Sequence, residues 1–254
     1  MTIRRAKIIH RFAFIMMVSF GFASQAETLE ISASKELLWD QSQGVYKAIG
    51  DAKAVRGVQS ISADLLQAYY NDQSEDQDIE RIIATTNVRF ADADLKGQGT
   101  ELDYDISRDF YELSGPKAFI TSKDGTARAD KILSFDRQNG LIKATENSKI
   151  TLSDGRHLEG DMIEITLTET EEIKAVLASG QVYVRQEDGK EAFADEANYD
   201  ALSGLAILTG NVKIIDGESI LNGQKAEIDF NKGISRLLAD EGSGRVSGTL
   251  VTSN

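Results

Sequence analysis

A pattern with a period of about 31 residues constrains this chain more than any other feature. An aromatic residue followed by Asp or Asn occurs at Trp39-Asp40, Tyr70-Asn71, Tyr104-Asp105, Phe135-Asp136, Tyr199-Asp200 and Phe230-Asn231, with Leu167-Thr168 at a degenerate position; the steps are 31, 34, 31, 32, 32 and 31 residues. A second marker keeps the same phase: a small or polar residue, an amide or Asp, then alternation. It reads Gly50-Asp51-Ala52, Thr86-Asn87-Val88, Glu146-Asn147-Ser148, Gly180-Gln181-Val182 and Gly210-Asn211-Val212. Gly115-Pro116-Lys117 departs most and holds the only proline. A third marker is a turn at Asp124-Gly125, Asp154-Gly155, Asp188-Gly189 and Asp216-Gly217, with Arg56-Gly57 in the first copy. After each turn comes a small-polar pair: Ala63-Asp64, Ala129-Asp130, Gly160-Asp161, Ala194-Asp195, Gly223-Gln224. Repeats of this length are single supersecondary units that bury a continuous interior only by stacking on their neighbours.

From Thr28 to Leu250 polar and apolar residues alternate, and turn signals break the alternation every 8 to 12 residues. That spacing predicts an all-β sandwich or barrel. The Asp-Gly pairs predict two-residue hairpins of type I′, with φ > 0 at both central residues. Ser62 to Tyr70 and Thr168 to Ser179 have helical propensity, but both fall where the repeat demands strands, so strands are expected there. Asp72 to Asp78 reads as a solvated loop, and Thr249-Leu250-Val251 as a last strand. Nothing marks a linker, so residues 27–254 read as one β structure. A stack of this kind leaves strand edges at its ends, which are templates for pairing with another chain.

Residues 1–26 read as a secretory signal peptide. Arg4, Arg5, Lys7 and Arg11 precede an apolar run from Phe12 to Phe22, and Ser24-Gln25-Ala26 offers small residues for cleavage before Glu27. The run is short for a membrane span of ~20 residues, and an uncleaved anchor is the alternative. The chain has no cysteine, so an exported fold would stand without disulfides. A bacterial periplasm fits best. Loss of the four positive charges of the leader takes the net charge from −13 to −17. Such acidity argues against nucleic acid as a partner, so none is expected, and against a general attraction to anionic membranes.

The residues that usually carry chemistry are sparse. Beyond the leader the one histidine is His157, expected at a turn or on the surface. With no Cys, thiol catalysis is excluded and a zinc site is improbable. No metal site or cofactor is expected, and no calcium loop is present. Carboxylates near one another in sequence, Asp92/Asp94, Asp103/Asp105 and Glu169/Glu171/Glu172, leave a carbohydrate-active β enzyme as an alternative, since a glycosidase needs two carboxyl groups ~5–10 Å apart across a cleft. The apolar alternate positions are the better candidate for function. Those expected to line an interior, or a hydrophobic groove if the sheets splay at one edge, are Val88, Phe90, Leu102, Tyr104, Ile120, Val182, Val184, Val212, Ile214, Ile228 and Phe230. A filled core is the alternative for each.

Ala197-Asn198-Tyr199-Asp200 through Gly210-Asn211-Val212-Lys213-Ile214, and then Gly223-Gln224-Lys225-Ala226-Glu227-Ile228-Asp229-Phe230, resembles the OstA-like domain family of periplasmic lipopolysaccharide transport. Its members include LptA, LptC and the N-terminal part of LptD. The resemblance is sharpest over about 192–240 and weaker over about 28–190. It implies an elongated, twisted antiparallel β-jellyroll and a non-enzymatic protein that carries the lipid A acyl chains of lipopolysaccharide in an apolar groove. It also implies head-to-tail homo-oligomers that bridge an inner-membrane LptC-like protein and an outer-membrane LptD-like protein. An LptC-like component, which would keep residues 1–26 as an anchor, is the alternative within the family. The chain is long for a minimal single-domain member, so a two-copy or fused version is open. Lys53, Arg56, Arg128 and Lys131 are the cations near turns that lipid A phosphates would meet.

Overall fold

The computed structural model describes residues 29–70, 78–93, 95–123, 125–170, 172–239 and 245–249. The expected signal peptide, most of the loop 72–78, Leu250, Val251, Asn71, Asp94, Asp124 and Glu171 lie outside the described residues. All regular structure in the described residues is β-strand; Ser62 to Tyr70 lies in a strand throughout, and Thr168 to Ser179 is strand from Ile173 onward. The chain divides into two compact units, with the boundary between Ser153 and Asp154.

The N-terminal unit holds β1 (Glu30–Ser32), β2 (Glu36–Asp40), β3 (Val45–Arg56), β4 (Gln59–Tyr70), β5 (Ile79–Asp92), β6 (Leu95–Asp105), β7 (Phe110–Ser114), β8 (Ala118–Ser122), β9 (Gly125–Ala129), β10 (Ile132–Asp136) and β11 (Leu141–Leu152). Every pairing is antiparallel. The short strands are halves of full-length ones. β1 and β2 both pair with β3, on either side of Gly50-Asp51. β7 and β8 both pair with β6, separated by Gly115-Pro116-Lys117. Proline has no N–H to give to a ladder, so the copy that departs most from the repeat is the one whose strand is interrupted.

The C-terminal unit holds β12 (His157–Leu167), β13 (Ile173–Arg185), β14 (Glu191–Asp200), β15 (Leu205–Asp216), β16 (Ser219–Asp229), β17 (Ile234–Leu238) and β18 (Ser247–Thr249). β12 to β16 form a meander, each strand antiparallel to the next. β17 and β18 both pair with β16 and so complete one interrupted strand.

Each sequence marker is a distinct piece of backbone. The aromatic-Asp pairs end a strand, and the Asp caps the connection that follows. Asp200 Oδ1 accepts from the Ser203 backbone N–H at 2.8 Å and from the Ser203 hydroxyl at 2.6 Å. Four residues on, Gly204 takes φ +66°, a left-handed conformation that costs glycine nothing. Asp40…Gly44, Asp136…Gly140 and Asp229…Gly233 repeat this turn. The last copy corrects the expected phase by two residues: Asp229, not Asn231, caps the turn, because the Asp must close the β16–β17 register at Asp229↔Ile234. In the Asp105 copy the left-handed position is occupied by Asp109, at φ +47°.

The second marker is a bulge in mid-strand. Gly210 and Asn211 have φ +75° and +49°, and the pairs at 50–51, 86–87, 146–147 and 180–181 are likewise both left-handed. Between Thr209↔Lys225 and Val212↔Gly223, β15 spends two residues where β16 spends one. One extra residue in alternate strands, at one level of the sheet, bends the ladder and increases its twist there. The residue opposite is the acid or amide of the small-polar pair. Asn87, Asn147 and Asn211 donate side-chain N–H to Asp64, Asp130 and Asp195 at 2.9, 2.8 and 2.9 Å.

The Asp-Gly pairs at 154–155, 188–189 and 216–217 differ from type I′, since only the glycine of each has positive φ. Gly217 has φ +60°, while Asp216 pairs with Ser219 as the last ladder residue and has no positive φ. The two-residue loop is therefore Gly217-Glu218, with glycine first, as in a type II′ turn. Gly57-Val58 repeats it between Arg56 and Gln59.

Candidate functional site

Register sorts the apolar side chains into rows, because residues directly opposite each other face the same side of a sheet. In the N-terminal unit one row runs Ala54, Ile61, Phe90, Gly97, Ile120, Ala127, Ile150 across seven strands. Beyond the bulge a second runs Ala48, Leu66, Ala84, Leu102, Leu113, Leu133, Ala144, all buried. A third runs Tyr46, Ala68, Ile82, Tyr104, Tyr111, Phe135, Ile142. Phe90 and Ile120 thus share one row, whereas Leu102 and Tyr104 lie on the far side of the bulge from them. Val88 sits at the bulge, opposite Gly99.

The C-terminal unit repeats the arrangement. Leu158, Val184, Ala192, Ile214 and Leu221 form one row. Val182 and Val212 lie at the bulge level, opposite Ala194 and Gly223. Ile165, Val176, Tyr199, Ala206 and Ile228 form another row. Val212, Leu208, Ala192, Ala194 and Ala226 are a buried cluster against which Val184, Ile214, Ile228 and Leu237 pack. Phe230 follows β16, and its ring meets the edge of Tyr199 at 5.8 Å.

The expected lining residues therefore fall into two groups. Val88, Leu102, Val182 and Val212 are buried. Phe90, Tyr104, Ile120, Val184, Ile214, Ile228 and Phe230 are half-buried and keep surface that a ligand can cover. Ile61, Ile150, Leu158, Tyr111 and Tyr199 share their rows. The alternation within β4, β11, β12, β7 and β14 signalled them, but register was needed to place them beside the others.

Small residues shape the interior. Gly97 sits under the Phe90 ring, and a Cβ there would fall inside the ring. Tyr104 and Tyr111 stack with centroids 4.1 Å apart. Burial pushes both hydroxyls above the ordinary tyrosine pKa, and in Tyr111 the hydrogen bond with Tyr104 adds to it.

The polar candidates are otherwise engaged. His157 begins β12, and its Nε2 lies 2.6 Å from Glu159 Oε1, with its ring 5.9 Å from that of Tyr183. Asp103 is paired with Arg81, and Asp105 caps the β6–β7 turn. Among the described residues no three of His, Asp and Glu gather as metal ligands. Lys131 pairs with Glu146 at 3.1 Å, and Arg128 lies over the Phe119 ring at 5.5 Å.

The family described as LptA/(LptD N-terminal domain) LPS transport protein matches residues 30–141, 133–234 and 191–251. The chain belongs to this family. Three overlapping matches fit a domain built from repeated strands, and the fold is the antiparallel β-jellyroll of the LptA type. Among solved structures the chain is similar to LptH of Pseudomonas aeruginosa, described as the LptA-homologous periplasmic component of the lipopolysaccharide transport device. The identity is 10% over 89% of this chain and 96% of that one, with a TM-score of 0.23. No match was found among curated proteins. The family match alone carries the assignment.

Proposed function

We propose that this protein carries lipopolysaccharide through the periplasm with the lipid A acyl chains laid against the apolar rows, and that it is not an enzyme. The observation that supports this is the composition of the rows: seven strands paired side by side present no charged side chain at Ala54, Ile61, Phe90, Gly97, Ile120, Ala127 and Ile150. Each CH₂ of an acyl chain kept from water is worth ~0.8 kcal/mol, so a multi-chain lipid requires an unbroken apolar path. The half-buried members of the rows, from Phe90 to Phe230, are the lipid-binding residues in this reading.

Residues 1–26 act as a cleaved signal peptide, and 27–254 as the transport domain. The partners are an inner-membrane LptC-like protein, an outer-membrane LptD-like protein and further copies of this chain, stacked head to tail. The edge strand β2, with Leu37, Leu38 and Trp39 at 61, 41 and 48% exposure, suits such pairing.

Native mass spectrometry with lipid extraction, on protein purified gently from its own periplasm, tests this. Lipopolysaccharide or lipid A is expected with the wild type and lost with Ile214→Asp. A lipid-free protein that also fails to bind added lipopolysaccharide overturns the proposal. N-terminal sequencing that begins at Met1 would make the chain an anchored, LptC-like component instead.

A further inference from the structure

The face of the N-terminal unit behind the row of Phe90 and Ile120 carries the opposite chemistry. The outward residues one position along each strand are Lys53, Ser62, Arg89, Gln98, Phe119, Arg128 and Lys149, directly paired across β3, β4, β5, β6, β8, β9 and β11. The next outward row is Val55, Ser60, Ala91, Lys96, Thr121, Thr126 and Thr151. These two rows hold five cations and no carboxylate, in a chain of net charge −13. Lys53, Arg89, Lys96, Arg128 and Lys149 are all exposed. Arg128 and Lys149 stand directly opposite each other, an arrangement that costs stability in a sheet through like-charge repulsion. The nearest acids on this face, Asp51, Asp64 and Asp130, lie at the bulge; Asp51 accepts from the Ser34 hydroxyl, and Asp64 and Asp130 are held by Asn87 and Asn147.

We propose that this basic stripe docks the protein on an anionic phospholipid bilayer surface. At ~4.8 Å between strands the stripe is about 29 Å long, the scale of several headgroups rather than of one phosphate. The Ser62 hydroxyl between Lys53 and Arg89, and the Gln98 amide beside Arg89, suit phosphate oxygens. Large apolar anchors of the kind that dominate protein interfaces are missing from the stripe; its single aromatic, Phe119, lies beneath Arg128. The hairpin at the same end of β3 and β4 carries Val58, which is 74% exposed beside Arg56, an apolar tip that a headgroup layer can accept. Net charge conceals this patch, because screening confines each charge to a neighbourhood of ~10 Å at 0.1 M salt. The docking is separate from lipid carriage, which uses the other face.

Co-sedimentation of the wild-type protein tests the stripe. The vesicles are phosphatidylcholine alone, or phosphatidylcholine with about one-third phosphatidylglycerol, and contain no lipopolysaccharide. Partition onto the anionic vesicles is expected to exceed that onto the zwitterionic ones at low salt and to vanish near ~1 M salt, where the screening length falls to ~3 Å. Arg89→Gln should weaken it about fivefold, and the combined Lys53→Gln, Arg89→Gln, Arg128→Gln and Lys149→Gln variant by several hundredfold. The single variant keeps the test valid if the fourfold one fails to fold. Ile214→Asp, which breaks lipid carriage, should bind vesicles normally, so the two readings can fail separately. Equal binding to both vesicles, no binding, or full binding by Arg89→Gln together with the fourfold variant overturns the proposal. Salt-sensitive self-association that depends on the stripe, without vesicle binding, also overturns it and assigns the stripe to a second copy of the chain.

Discussion

Asn211 Nδ2 donates a hydrogen bond to Asp195 Oδ2 at 2.9 Å, tying the left-handed bulge of β15 to the neighbouring strand β14. The bond joins two sequence markers 16 residues apart and explains why they keep phase: the amide and the acid are the two halves of one clasp. Asn211→Ala should lower stability by ~1–2 kcal/mol, through loss of the bond and a left-handed alanine, and Asn211→Gly by less. Urea denaturation of both variants, and of each combined with Asp195→Ala, checks this. Additive effects of Asn211→Ala and Asp195→Ala would show that the clasp contributes nothing.

Gly97 is needed for its lack of a side chain. Gly97→Val should displace the Phe90 ring from the apolar row and cost ~1–3 kcal/mol. Phe90→Ala in the same chain should relieve part of that cost. A Gly97→Val protein with the wild-type thermal midpoint would show that the ring moves freely.

Acid should weaken the fold through its turns. Hydrogen bonds from Ser42, Ser107, Ser203 and Lys232 hold the carboxyl groups of Asp40, Asp105, Asp200 and Asp229 below their ordinary pKa. Depressed carboxyl pKa values contribute stability above the unfolded value of ~3.9, and that contribution is lost as pH falls through the folded values. Thermal midpoints should therefore drop steeply below about pH 4, and the drop should be shallower in Asp200→Asn. Identical profiles for the two proteins would remove Asp200 from this account.

Base should act through the tyrosine stack. Burial raises the pKa of Tyr104 and Tyr111, so the folded state holds these protons longer than the unfolded state does. Their contribution is complete below the unfolded pKa of ~10 and is lost as pH rises through the folded values. Absorbance at the tyrosinate band, at a pH just above 10, should show fewer ionised tyrosines in the native protein than in urea. Tyr111→Phe should narrow the difference.

The half-buried and fully buried row members should respond differently to polar substitution. Val212→Ser removes apolar volume from the buried cluster and should cost ~1–3 kcal/mol. Ile214→Ser, at a half-buried site, should cost less stability while weakening lipopolysaccharide capture. Comparing thermal midpoints with lipid recovered in native mass spectra separates the two effects.

The strands and their class were legible in the chain, and so was their phase except in the last copy, where Asp229 rather than Asn231 caps the turn. Alternation with period two, broken by turn residues every 8 to 12 positions in a pattern that repeats about every 31, buries Val88, Leu102, Val182 and Val212 on one face. The local chemistry of the Asp200 and Asp40 turns was equally legible, because an Asx cap followed by a left-handed glycine is decided within five residues. The tertiary structure decided what depends on neighbours. Gly210-Asn211 is a mid-strand bulge, and a bulge exists only against the register of β14 and β16. Asp216 ends a ladder rather than entering the turn, for the same reason. The apolar row through Phe90 and the basic row through Arg89 come from residues up to 96 positions apart in the chain, Lys53 and Lys149 among them. Strand pairing alone brings such residues onto one face, and no local signal records it.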